Sequence, residues 1–315
     1  MRVWLMYWYA KVILGLIAVL FLGGVVFLFR GCLPAMSGIS LPSMPSDDDV
    51  VETETGESPR AEQADPEVQA IREQLRIVRN QLNGGGVVEA RDAAERILGQ
   101  IDTEKHKRQW RNTLKLLSEA STQILFSDIP APEKVDYTVV RGDALTKIAA
   151  RFNTPVPLIQ LGNGMDETED VIRAGDVLHV YTAEWNIWVS KADFLLLVKD
   201  SDRVIKAYDI GIGAQDRTPV GTFHINVKQS DPAWDKPGAD KIPAGHPDNV
   251  LGTRWMGLKP IDETPKTLKS YGIHGTTEPD TIGTAASQGC VRMLNSDVEE
   301  LYRIVPRRTP VVIED

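Results

Sequence analysis

Cys290 and His274 have the side chains and the spacing for bond-making chemistry. They stand sixteen positions apart, in the runs His274-Gly275-Thr276 and Ser287-Gln288-Gly289-Cys290-Val291-Arg292-Met293. A thiol and an imidazole in that order read as the nucleophile and base of an acyl transfer. A free thiol is only a few per cent ionised at neutral pH, so it needs a nearby imidazole or positive dipole to raise its thiolate fraction. Gly289 lets the backbone turn tightly before the cysteine, exposing successive N–H groups able to hold the oxyanion of a tetrahedral intermediate. The plainer alternative is a buried small hydrophobe at Cys290 and a structural donor at His274.

The remaining histidines offer less. His224 lies in the alternating run 222–227, which reads as a strand and places it on one face with Thr222 and Asn226. His246 falls in a turn-rich loop able to border a cleft. His106 reads as a surface residue and His179 as a strand residue. No Cys/His cluster has zinc-ligand spacing, so neither a catalytic metal nor a cofactor is expected.

The segment 185–315 resembles the L,D-transpeptidase (YkuD-type) family. The resemblance rests on the two runs above and on two further stretches, 218–223 (Thr-Pro-Val-Gly-Thr-Phe) and 248–254 (Asp-Asn-Val-Leu-Gly-Thr-Arg). It implies a mostly-β catalytic domain in which Cys290 is the nucleophile, His274 the base and the Gly275 carbonyl the group orienting the imidazole. Arg292 aligns with the family's arginine after the cysteine, and its guanidinium fork suits either a substrate carboxylate or a structural brace. Ser287 is expected to shape the turn and Gly289 to sit at the oxyanion. Gln288 replaces a histidine usual in the family, which implies altered substrate contacts. The implied reaction is attack on the amide between the third, diamino residue of a peptidoglycan tetrapeptide stem and its terminal D-Ala, through a thioester that an amine of another stem resolves. Water as acceptor would make the chain an L,D-carboxypeptidase or endopeptidase, and a dead site would leave a peptidoglycan-binding scaffold.

The elements that must position these residues can be read outward from them. Runs 194–198 and 204–208 read as strands paired around a four-residue connection, 199–202. Ser296 with Glu299 forms a capping-box signature for a helix running to about Ile304. Before the catalytic segment, 136–181 alternates as a strand, turns at Arg141-Gly142-Asp143, passes through two short helices and returns as a strand. This βααβ stretch resembles the lysin motif, matching its Tyr-Thr-Val-x-x-Gly-Asp opening, and the resemblance implies binding to N-acetylglucosamine-containing glycan strands. In 67–127, Val68, Ile71, Leu75, Val78 and Leu82 recur at helical spacing before Gly84-Gly85-Gly86. Two more helices follow, giving a hairpin or small bundle read as a spacer packed on its own apolar stripe, with no protein partner assigned.

The N-terminal part reads differently. Residues 12–29 form an uncharged apolar run of about 27 Å as a helix, enough to cross a bilayer. Within a 1–36 segment it is expected to be an uncleaved single-pass anchor with a cytoplasmic start, placing the later domains in the periplasm or another extracytoplasmic space. A cleaved signal peptide or a lipoprotein anchor at Cys32 are the competing readings. Residues 37–66 are rich in Ser, Pro, Asp and Glu, and cannot bury enough surface to offset ordering entropy, so they read as a tether. The net charge of −9 over 315 residues argues against a nucleic-acid partner. With Cys32 and Cys290 the only cysteines, no structural disulfide is expected.

Overall fold

The computed structural model describes residues 65–315 apart from Pro237 and Ala239. The apolar run 12–29, Cys32 and residues 37–64 of the expected tether 37–66 lie outside the described residues; its last two, Asp65 and Pro66, instead form the cap and first residue of a helix. Among the described residues no helix is long and apolar enough to cross a membrane.

Among the described residues three helices come first: α1 (Pro66–Asn83), α2 (Val87–Leu98) and α3 (Lys107–Leu125). Asp65 caps α1 by accepting from the Glu67 N–H at 2.8 Å, and Pro66 supplies the fixed φ suited to a first turn. The apolar residues of α1 are buried as a stripe, and the helix gives way at Gly84, ahead of Gly85 at φ 85°. His106, expected at the surface, is 3% exposed. It packs ahead of the first turn of α3 with Nε2 3.2 Å from the Glu67 carboxylate, because the helices close over it.

The lysin-type segment follows: β1 (Lys134–Thr138), α4 (Leu145–Phe152), α5 (Val156–Leu161) and β2 (Val177–Tyr181), the two strands antiparallel. Asn153 ends α4 in the left-handed region at φ 49°, a conformation asparagine tolerates. Val139, Leu145, Ile148, Ala149, Ile159, Leu178 and Val180 form a separate core between strands and helices.

The remaining chain builds β3 (Trp185–Ser190), β4 (Leu195–Asp200), β5 (Arg203–Asp209), β6 (Ile212–Gly213), β7 (Gly221–Ser230), β8 (Arg254–Pro260), β9 (Gly272–His274), β10 (Ala285–Ser287), β11 (Val291–Arg292), α6 (Asn295–Ile304) and β12 (Pro310–Glu314). Eight strands form one mixed sheet in the order β11-β9-β8-β7-β12-β3-β4-β5, while β6 and β10 pair separately. The β4–β5 connection is tighter than the expected four residues. Asp200 and Arg203 are paired partners, so only Ser201 and Asp202 turn the chain, with Ser201 at φ 53°.

Alternation assigns the two faces of the sheet around the site. Phe223, Ile225, Met256, Leu258 and Ile273 are buried in one core with Val298, Leu301 and Ile304 of α6. Their strand neighbours His224, Trp255, Lys259 and His274 therefore belong to the opposite face. At the far edge, β5 would expose unpaired backbone groups, and α3 covers it: Ser118 Oγ accepts from the Ala207 N–H at 2.9 Å and Arg111 pairs with Asp209 at 2.8 Å.

Candidate functional site

The sheet brings the two candidate reactive residues onto neighbouring strands. β11 runs parallel to β9, with Val291 opposite Ile273 and Arg292 opposite His274. Cys290 thus stands level with Gly272, on the same face as His274. His274 is 3% exposed. Its Nδ1 lies 2.6 Å from the Gly275 carbonyl, and since a carbonyl only accepts, Nδ1 carries the proton and Nε2 is left with its lone pair. Trp255, the partner of His274 across the β8–β9 ladder, stacks on the imidazole with centroids 5.7 Å apart and planes at 25°.

The turn before Cys290 is held from both sides. Ser287 Oγ donates to the Cys290 carbonyl at 2.7 Å and accepts from the Gly289 N–H at 3.0 Å. That bond occupies the Gly289 N–H and removes it from the oxyanion role expected of it. Gly289 is needed for its shape instead: φ is 133°, and a Cβ there would lie 2.8 Å from the Tyr271 ring. Thr218 Oγ1 donates to the Gly289 carbonyl at 3.0 Å and accepts from the Gly213 N–H at 2.7 Å, tying the 218–223 run to the turn. Arg292 is buried, with Nη1 2.8 Å from Glu278 and 3.3 Å from Thr281 Oγ1. Of the two roles open to it, the geometry is that of a brace. Gln288 is exposed beside the turn.

Comparison with known proteins agrees with this arrangement. A family model for the L,D-transpeptidase catalytic domain (YkuD) matches residues 184–313, and one for the LysM domain matches 137–180. The protein named "Putative L,D-transpeptidase YkuD" from Bacillus subtilis (strain 168) is 34% identical over 183 residues, spanning 56% of this chain and 97% of that relative. The chain belongs to the YkuD-type L,D-transpeptidase family. YqjB of the same organism, named in the same way, is 37% identical over 128 residues, 40% of this chain and 69% of its own. Among solved structures, the catalytic domain of an E. faecium L,D-transpeptidase acylated by ertapenem aligns at 25% identity and TM-score 0.32, over 43% of this chain and all of that one.

The electrostatics of the transpeptidase site differ from the expectation of a ready thiolate. Burial pushes the His274 pKa down to about 4, against the opposing pull of the Gly275 and Leu251 backbone and with a further push from the Arg292 charge. Burial likewise raises the Cys290 thiol to about 11, which the Gly272 backbone and Arg292 offset only in part. At neutral pH the pair therefore rests as neutral thiol and neutral imidazole. Cys290 keeps an accessible edge even so.

Sequence reasoning missed Asn295. Its Oδ1 accepts from the Thr253 and Thr276 N–H groups at 3.2 Å each, and its Nδ2 donates to the Thr276 carbonyl at 3.0 Å. A Cβ on Gly252 or Gly275 would fall 2.2 or 2.1 Å from Oδ1, so both loops approach the amide closely. Asn295 thereby fixes the peptide whose carbonyl orients His274. Ser296 was the expected helix cap, but α6 begins at Asn295 after Leu294 with no side-chain cap, and Ser296 Oγ turns to Asp297 instead. The signal available was an asparagine at a helix start beside the motif, which its spacing to Glu299 made look secondary.

Proposed function

We propose that this L,D-transpeptidase is tethered to a membrane through residues 12–29 and crosslinks peptidoglycan stems through a cysteine thioester. In the first step Cys290 Sγ attacks the carbonyl of the third, diamino residue. Its proton passes to His274 Nε2, and collapse of the tetrahedral intermediate breaks the C–N bond as the proton moves on to the departing D-Ala amine. In the second step an amine of another stem attacks the thioester, gives its proton to His274 and returns the thiol. The observation that carries this reading is the Nδ1–Gly275 bond on a buried imidazole two residues along the strand beside Cys290, which leaves Nε2 unprotonated.

The lysin module supports the same substrate. A glycan-binding module in the same chain raises the local concentration of the polymer without new contacts at the reacting bond. Tetrapeptide incubated with the full chain, with and without an added acceptor stem, distinguishes the outcomes. A crosslinked dimer and free D-Ala are expected with acceptor present. Tripeptide as the sole product under both conditions would replace transfer by hydrolysis.

A further inference from the structure

Beyond Cys290 and His274, one cluster of basic side chains shares a depression. His224 and Asn226 of β7, Lys259 of β8, and Arg307 and Arg308 ahead of β12 line a depression of about 550 Å³. No carboxylate lines it, and none of its four basic side chains is ion-paired among the described residues. Several other cations do meet carboxylates: Arg91 and Arg203 share Glu133, Lys191 meets Asp216 and Asp315, and Arg303 meets Glu167. Three cations without an ion pair, gathered beside His224 in a chain of net charge −9, mark a place for an anion.

Two features tie this pocket to the site. First, His224 and Lys259 are direct partners across the β7–β8 ladder, and Lys259 lies four residues along β8 from Trp255, hence on the same face as Trp255 and His274. Cys290, level with Gly272 and through it with Gly257, lies two strands across from β8, and Lys259 lies two residues along β8 from Gly257; at about 4.8 Å per strand and about 3.3 Å per residue that is a separation of about 12 Å, the span of about four residues of extended peptide. Between them the space a Cβ on Gly257 would take is filled by its neighbours, Val227 Cγ1 at 2.7 Å, Asn226 Oδ1 at 2.9 Å and Trp255 Nε1 at 3.2 Å, so an acceptor and a donor flank the way from Lys259 to Cys290. Second, Arg308 sits at φ 70°, where a side chain is disfavoured. It is held there by ladder bonds on both sides, from its own N–H to the Ile225 carbonyl and from the Ile225 N–H to Thr309. Glycine would meet the backbone requirement more easily, so the side chain at this position is what needs a reason.

We infer that His224, Lys259, Arg307 and Arg308 form a subsite for the carboxylates of the peptide stem, gripping the substrate about 12 Å from the reacting carbonyl. This rests on the peptidoglycan reading above and extends it to a named second point of attachment. A stem held at both ends crosses from Lys259 on β8 to Cys290 beside β9, which orients the scissile amide.

The test uses the free tetrapeptide, which carries no sugar for the lysin module, and the full chain with Cys290→Ala so that binding is read without turnover. Lys259→Gln with Arg307→Gln is expected to weaken binding about tenfold at low salt and little at high salt. A peptide with its carboxylates amidated should bind both forms alike. Arg308→Gly guards against misfolding: glycine accepts the backbone angle, so thermal stability should hold or rise while affinity for the free peptide falls. Equal affinities in all variants, equal losses for the amidated peptide, or binding of inorganic polyphosphate or anionic vesicles in place of the stem would each overturn the subsite. The two readings fail separately. Absence of D-Ala release by the chain retaining Cys290, with the salt-dependent affinity difference intact, removes the catalytic reading, whereas release with unchanged affinities removes the subsite alone.

Discussion

The lysin module and the three-helix segment both precede the catalytic sheet, yet they bury their apolar side chains in different ways. The module keeps Val139, Leu145, Ile148 and Val180 in a core of its own, and reaches the rest of the chain through Leu158, Tyr181 and the Arg303–Glu167 pair. The helices instead share one continuous core with the sheet, from Val78 and Leu117 through Trp185 and Ile205 to Ile273. They also cover the edge of β5 and place Arg111 against Asp209. The segment that is further away in sequence is thus the one built into the enzyme. A spacer packed only on itself, as its periodicity suggested, is not what these contacts describe.

The sharpest way to break this comparison is to make the same kind of hole in each region. Leu117→Ala, at a side chain with no exposed surface in the shared core, should cost about 2–5 kcal/mol. It should lower the melting of helices and sheet together in one calorimetric transition. Ile148→Ala, 1% exposed in the module's core, should cost a similar amount but loosen the module alone, so glycan binding falls while acylation of Cys290 proceeds. Two independent transitions in the Leu117→Ala protein would separate the helices from the enzyme.

A somewhat smaller effect is expected from pH. His274 has a folded pKa of about 4, below the ordinary histidine value, so between those two values the unfolded chain binds the extra proton. The stability tied to the neutral imidazole is complete above about pH 6.5 and is lost as pH falls toward 4, by up to about 3 kcal/mol. Denaturant titrations across that window should show the loss in the parent and much less of it in His274→Gln. For the same reason the acylation rate should hold down to about pH 5 rather than decline from 6.5.

Next in size is the positioning of the base. Asn295→Ala frees the Gly275–Thr276 loop and should slow acylation about 100-fold, the scale of a misplaced catalytic group. Asn295→Asp keeps Oδ1 as acceptor for Thr253 and Thr276 and should recover part of the rate. Full activity in the alanine variant would show that the tautomer of His274 is set without this clamp.

These outcomes also bear on how much could be read before the fold was known. The meeting of Cys290 and His274 on neighbouring strands was legible because the two sit in short runs at a telling spacing, and the helices because Val68, Ile71, Leu75, Val78 and Leu82 repeat at helical intervals. Periodicity says which face is apolar but not what covers it, so the docking of α3 on β5 was out of reach. The use of the Gly289 N–H by Ser287 and the clamp of Asn295 depend on how loops 252–253, 275–276 and 287–290 meet in space. The neutral state of the pair depends on burial, which no motif reports.

The central claim is that Cys290 forms a thioester with the stem, and intact mass of the full chain after incubation with tetrapeptide tests it most directly, beside Cys290→Ala. The account predicts an adduct of the tripeptide acyl group on the parent, absent from the alanine variant, with D-Ala released. An unmodified parent that remains folded and releases no D-Ala would contradict it.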